Sequence, residues 1–121
     1  HAFERRREFS DTYIWLEEGN ATNLRFSDHK FDIAVLTYAL AGIPDNHGAL
    51  AEAVRVVKPY GKICILDFDK ADFGIFGGSV NLNLQELILG NTDCKTVEHL
   101  SLPKPHPLSE KQSIYILERK Y

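Results

Sequence analysis

The chain has 121 residues, 44% of them hydrophobic, which suits one globular domain with a real core and excludes a disordered polypeptide. A formal charge of −3 removes the broad positive field with which nucleic-acid binders collect phosphates, so a small-molecule partner and no nucleic acid are expected. No apolar run approaches the roughly 18 residues of a membrane span, and His1 to Glu8 is too charged for a signal peptide, so a cytoplasmic protein with no membrane partner is expected.

In chain order, residues 3 to 9 are charged between Phe3 and Phe9 and suit the last turns of an amphipathic helix, with Arg5, Arg6 and Arg7 on its solvated face. Thr12 to Leu16, rich in β-branched and aromatic residues, predicts a short strand that turns at Glu17, Glu18, Gly19 and Asn20. Asn23 to Asp28 predicts a loop with room for a brief helical turn. Phe31 to Leu40 is almost continuously apolar, the pattern of a parallel strand buried on both faces. Pro44-Asp45-Asn46 then opens a helix on which Leu50, Ala53, Val54 and Val57 recur at i, i+3, i+4 and i+7, with Glu52 and Arg55 on the wet face.

Pro59-Tyr60-Gly61 predicts the helix stop, since proline cannot continue the ladder and glycine tolerates a positive φ. Lys62 to Phe68 is the next apolar strand, and the crossover between the two strands has the length that parallel pairing needs. Lys70 to Gly78 predicts a loop with Phe73, Ile75 and Phe76 at its apolar tips. Ser79 to Leu89 regains helical spacing through Leu82, Leu84, Leu87 and Ile88 and stops at Gly90-Asn91. Thr96 to Leu102 and Ser113 to Glu118 predict a closing antiparallel hairpin whose connection carries Pro103, Pro105 and Pro107. Cys64 and Cys94 lie far apart without metal-ligand spacing, so reduced, partly buried thiols and no metal site are expected.

Several short motifs in this order carry a resemblance: Asn20-Ala21 followed by Leu24-Arg25-Phe26, Phe31-Asp32 at the head of a buried strand, and Lys58 to Gly61 ahead of the next. Together they resemble the class I S-adenosylmethionine-dependent methyltransferases, particularly the small-molecule group that includes quinone-biosynthesis enzymes. The resemblance implies an α/β fold with a Rossmann-like, mostly parallel partial sheet closed by a C-terminal antiparallel hairpin, and makes residues 1–121 the C-terminal part of such a domain. It also implies S-adenosylmethionine as cofactor, with Asn20 and Ala21 flanking the adenine and Thr37 and Tyr38 lining its methionine part. Two departures stand out. Asn20 replaces the usual aspartate, offering a neutral acceptor where a charged one bonds more strongly. No Gly-x-Gly loop follows a first strand, and Gly74, Gly77 and Gly78 do not have its spacing.

The family's sheet order sets strands one and two between the third and fourth, which leaves Thr12 to Leu16 without a neighbour. A fragment of a longer polypeptide is the favoured explanation; a partner chain supplying the missing part and a rebuilt sheet are the others. The absence of methionine and the opening on His1 make His1 an unexpected translation start.

Asp67 and Asp69, at the end of the fifth family strand, are the candidates to orient or deprotonate a methyl acceptor, set against the plainer reading of a solvated strand end. No catalytic residue is assigned. His47 reads as surface or pocket rim, His99 and His106 as bystanders, and Tyr13, Trp15 and Phe31 as core. The expected function is methyl transfer to a small-molecule acceptor, dependent on sequence outside the chain. A non-catalytic methyltransferase-like subunit is the alternative, and a nicotinamide-dependent oxidoreductase fits the closing hairpin poorly.

Overall fold

Asp45 begins the central helix, its carboxylate accepting the Gly48 N–H at 3.0 Å and satisfying one of the donors that a helix start leaves open. In the computed structural model, which describes residues 13–16, 23–75, 78–104 and 110–121, this helix, α1 (Asn46–Val56), joins strand β2 (Phe31–Thr37) to β3 (Val57–Phe68). The two strands pair in parallel, Ala34 opposite Ile63 and Leu36 opposite Ile65. A five-stranded sheet grows around them in the order β1-β2-β3-β7-β6, where β1 is Tyr13–Leu16, β6 Cys94–Ser101 and β7 Gln112–Arg119. Strands β1 to β3 run parallel, whereas β7 lies antiparallel to both β3 and β6. This is the expected Rossmann-like sheet with its antiparallel closing hairpin.

Side-chain alternation divides the sheet into two unlike faces. Ala34, Leu36, Ile63, Ile65 and Leu117 point to one face and are sealed beneath α1, joined in a single core by Leu50, Ala53, Leu84 and Leu87. Residues one step along, Val35, Cys64, Leu66, Ile114 and Ile116, point to the other face and are only half-buried; Ile33 is 39% exposed. The expectation that Phe31 to Leu40 is covered on both faces is therefore corrected. The strand ends at Thr37, Leu40 belongs to a 3-10 turn (Leu40–Gly42), and continuous apolarity reflects one sealed and one open face.

Four other expectations change. The strand at Tyr13–Leu16 does have a neighbour, pairing in parallel with Ile33 to Leu36, which is the rebuilt sheet given above as an alternative to the favoured fragment. Glu52 and Arg55 do not form a wet face: Arg55 donates to Glu52 and to Asp28 at 2.7 Å each, and Leu24 N–H donates to Glu52 at 2.7 Å, clamping the Leu24–Asp28 segment on the helix. The hydrogen bonds from Arg55 hold the Glu52 and Asp28 carboxyls below their usual values. Helix α1 ends at Val56, and its last carbonyls are taken up by Arg119, whose Nη1 donates to Val54 and Arg55 at 2.6 and 3.2 Å and to Val57 just beyond at 2.9 Å. Pro59-Tyr60-Gly61 is an irregular stretch within β3, not a separate turn, and the positive φ of 66° falls on Tyr60. Gly61 is required for close approach, because a Cβ there would lie 2.7 Å from the Asp32 carbonyl oxygen and collide with Val57.

Between Lys70 and Asn83 the predicted loop and the first half of the predicted helix are instead an antiparallel pair, β4 (Lys70–Ile75) and β5 (Gly78–Asn83). Helix α2 spans only Leu84–Gly90, opened by Asn83, whose side chain accepts the Glu86 N–H at 3.3 Å. Asparagine favours caps over helix interiors, so Asn83 ends the strand where the apolar spacing alone suggested continuation. The predicted helix tail at 3–9, Thr12, His106 and the prolines at 105 and 107 lie outside the described residues, as do the side chains of Tyr13, Trp15, Phe73 and Ile75.

Candidate functional site

Open α/β sheets place their ligands beyond the carboxyl ends of parallel strands. Here the ends of β2 and β3 bring together Thr37, Tyr38, Asp67, Phe68 and Asp69. Asn20 and Ala21 lie outside the described residues.

Thr37, half-buried, faces the open side of the sheet with its register partner Leu66. Tyr38 follows in a left-handed conformation, φ 57°, which costs a non-glycine residue about 1–2 kcal/mol and persists only where the surroundings hold it. Its N–H donates to the Leu66 carbonyl at 2.8 Å, its ring lies on Phe68 with centroids 5.4 Å apart, and its hydroxyl donates to Gln112 Oε1 at 2.5 Å. The ring stays 38% exposed, presenting an aromatic face at the strand ends. An aromatic face of this kind attracts cations.

The two aspartates, paired in expectation, are different in fact. Asp67 is fully buried on the sealed face. Its Oδ2 accepts Leu40 and Ala41 N–H groups at 2.9 and 3.2 Å, and its Oδ1 accepts the Phe68 N–H at 2.8 Å. Burial pushes this carboxyl up to about 6, against the three amide bonds that pull it down. The solvated strand end is thereby excluded for Asp67, whose oxygens are already taken by backbone. Asp69 keeps a quarter of its side chain exposed, 3.7 Å from Lys111 Nζ, and borders a cleft of about 440 Å³ with Lys70, Lys104 and His99. His99 stacks on Tyr115 at 4.0 Å, and His47 is exposed on the first turn of α1. Cys64 and Cys94 are free thiols, both raised by burial, Cys94 to about 11.

Gln112 and Lys111 were not singled out by sequence. No local signal marks them, because antiparallel pairing of β3 with β7 carries them across more than 40 residues to Phe68 and Asp69.

The ubiE/COQ5 methyltransferase family model matches residues 2–88, which include β2, α1, β3 and every strand-end residue above. The chain belongs to this family. Among related family proteins, the ubiquinone/menaquinone biosynthesis C-methyltransferase UbiE of Rickettsia prowazekii is 35% identical over 81 residues, covering 61% of this chain and 33% of that protein. The UbiE protein of Nitrobacter hamburgensis is 29% identical over 114 residues, covering 86% and 45%. This ubiE/COQ5 family chain thus spans about a third to under half the length of these relatives. Its fold is shared with an S-adenosylmethionine-dependent methyltransferase of Methanosarcina mazei (TM-score 0.64, 17% identity, 84% of this chain and 65% of that one). It is also shared with the [4+2]-cyclase SpnF (TM-score 0.67, 14% identity, 84% and 54%). A fold common to methyltransferase and cyclase leaves the reaction to be argued from the site.

Proposed function

We propose that the chain forms the C-terminal part of an S-adenosylmethionine-dependent C-methyltransferase that acts on a demethylated quinone precursor in its reduced, phenolic form. The observation that carries this reading is the family match over residues 2–88, because it takes in the strand ends at Thr37, Tyr38 and Asp69. The relatives named for ubiquinone and menaquinone biosynthesis, and a demethylmenaquinone methyltransferase of Lactiplantibacillus plantarum 37% identical over 59 residues, support the acceptor class.

The cofactor supplies an activated methyl group, so the protein's work is to hold two reactants in line. Asn20 and Ala21 would border the adenine. Tyr38 would set its ring against the sulfonium, and Thr37 would line the methionine portion. Asp69 would accept a hydrogen bond from a phenolic hydroxyl, raising electron density at the ring carbon that takes the methyl group. Asp67 is fully buried, so this task falls to Asp69.

The half-open apolar face supports a requirement for additional polypeptide. Sheets with parallel strands are normally covered on both faces, whereas Val35, Cys64, Leu66, Ile114 and Ile116 are only half-buried. A missing N-terminal segment, or a partner chain in its place, would supply that cover together with the cofactor loop.

Transfer of labelled methyl from S-adenosylmethionine to demethylmenaquinol, catalysed by the protein at its full natural length, tests the proposal. Asp69→Asn should lower kcat at least tenfold with little change in cofactor affinity. A second reading, a non-catalytic methyltransferase-like subunit, draws support from Asn20 in place of the family aspartate. Calorimetry with S-adenosylmethionine separates the two: absent cofactor binding and absent transfer would leave only the second.

A further inference from the structure

From the end of β3, Asp67 reaches the turn after β2, 27 and 26 residues back in the chain. One oxygen holds that turn through Leu40 and Ala41; the other accepts the N–H of Phe68, the next residue along β3, which orients the carboxylate. Tyr38 lies just before the turn, and its ring rests on Phe68. A side chain on the sealed face therefore fixes the spacing of an aromatic pair at the strand ends.

Other groups could have capped the 3-10 turn at lower cost. Serine or asparagine would accept one or two N–H bonds without burying an ionisable group. A carboxylate differs in presenting two acceptor oxygens on one rigid plane, so that one takes both turn amides while the other is oriented by the amide of the next residue on its own strand. The strain at Tyr38 points the same way. A left-handed tyrosine relaxes unless both flanks are anchored; the Leu66 carbonyl anchors one and Asp67 the other.

We propose that Asp67 is a positioning residue: by tying Leu40 and Ala41 to the end of β3 it holds Tyr38 in the conformation that faces a bound cofactor. This rests on the methyltransferase reading for the identity of the ligand, but the tie itself does not.

The test uses the protein at its full natural length, with amide hydrogen exchange read residue by residue and S-adenosylhomocysteine as the probe ligand. Asp67→Asn keeps the shape and removes one strong acceptor. Exchange at Leu40 and Ala41 should accelerate at least tenfold while Val54 and Leu117 stay as protected as before, and probe affinity should fall at least fivefold. Ser113→Ala serves as control, because Ser113 pairs with Asp67 across the strands and its buried hydroxyl has no partner among the described residues; it should change neither readout. In the unaltered protein, saturating probe should slow exchange at Leu40 and Ala41 and leave Leu117 alone.

Unchanged exchange at Leu40 and Ala41 in Asp67→Asn would overturn the tie. Equal acceleration at every amide would reduce Asp67 to a general core residue. Local acceleration with unaltered probe affinity would overturn the positioning role while leaving the methyltransferase reading standing. If the unaltered protein binds no probe, the methyltransferase reading and the cofactor side of the proposal fail together.

Discussion

The two faces of the sheet are built from the same strands, yet one is sealed and the other half-open. Leu36, Ile65 and Leu117 on the sealed face are inaccessible to solvent or nearly so, whereas Val35, Cys64 and Ile116, each one residue away, keep part of their surface in water. The crossover through α1 covers one side only, and a period of two assigns each residue to a side without regard to its hydrophobicity. Apolar character thus reports what a strand can bury, and the connection decides what it does bury.

Truncation should break the comparison most sharply. Leu36→Ala and Ile65→Ala should each cost about 3–4 kcal/mol in chemical denaturation, since a sealed core leaves a cavity. Ile116→Ala on the open face should cost about 1 kcal/mol, because its side chain is already partly hydrated. Equal losses on the two faces would show that the open face is covered in solution.

A second difference is electrostatic, and smaller. The Asp67 carboxyl sits at about 6 in the folded protein, above its ordinary 3.8. A raised folded value means that the folded state binds the proton more tightly. Its stabilising contribution is fully present below about pH 4 and is lost as pH rises through 6, a change on the order of 2–3 kcal/mol. Glu52, held low by Arg55, contributes in the opposite sense, with stability lost as pH falls through its range. Asp67→Asn should therefore remove the decline in stability between pH 4 and 7 and leave the acid limb in place. An unaltered profile would show that Asp67 titrates normally.

The mildest probe uses the thiols. Cys64 lies on the half-open face and Cys94 is buried, so a neutral alkylating reagent should modify Cys64 at least severalfold faster in the isolated 121-residue chain. Added polypeptide that covers the face should slow Cys64 and not Cys94. Equal rates in both settings would remove the open face as a docking surface.

How far the fold could be read in advance depended on where its information lay. The β2-α1-β3 unit is local: an apolar run, a capped helix at i, i+3, i+4 spacing, and a second apolar run suffice to place it. The stretch from Lys70 to Asn83 was misread because Leu82, Leu84, Leu87 and Ile88 satisfy helical spacing, while the alternation of Val80 and Leu82 is too short to compete. Pairing with β4 settles that contest, and pairing is a long-range fact. At the site, Asp67 and Asp69 could be named as candidates from their place at the end of an apolar strand, and Thr37 and Tyr38 from the family resemblance.

By itself the sequence determined the class of fold, the parallel unit, the closing hairpin and the family, since each rests on periodicity or motifs within a few tens of residues. Only the tertiary structure decided which face of each strand is sealed, that Asp67 serves the backbone while Asp69 borders a cleft, and that Gln112 meets Tyr38. Those outcomes depend on register between strands far apart in the chain, where a shift of one residue exchanges the two faces, and no local pattern encodes such a choice.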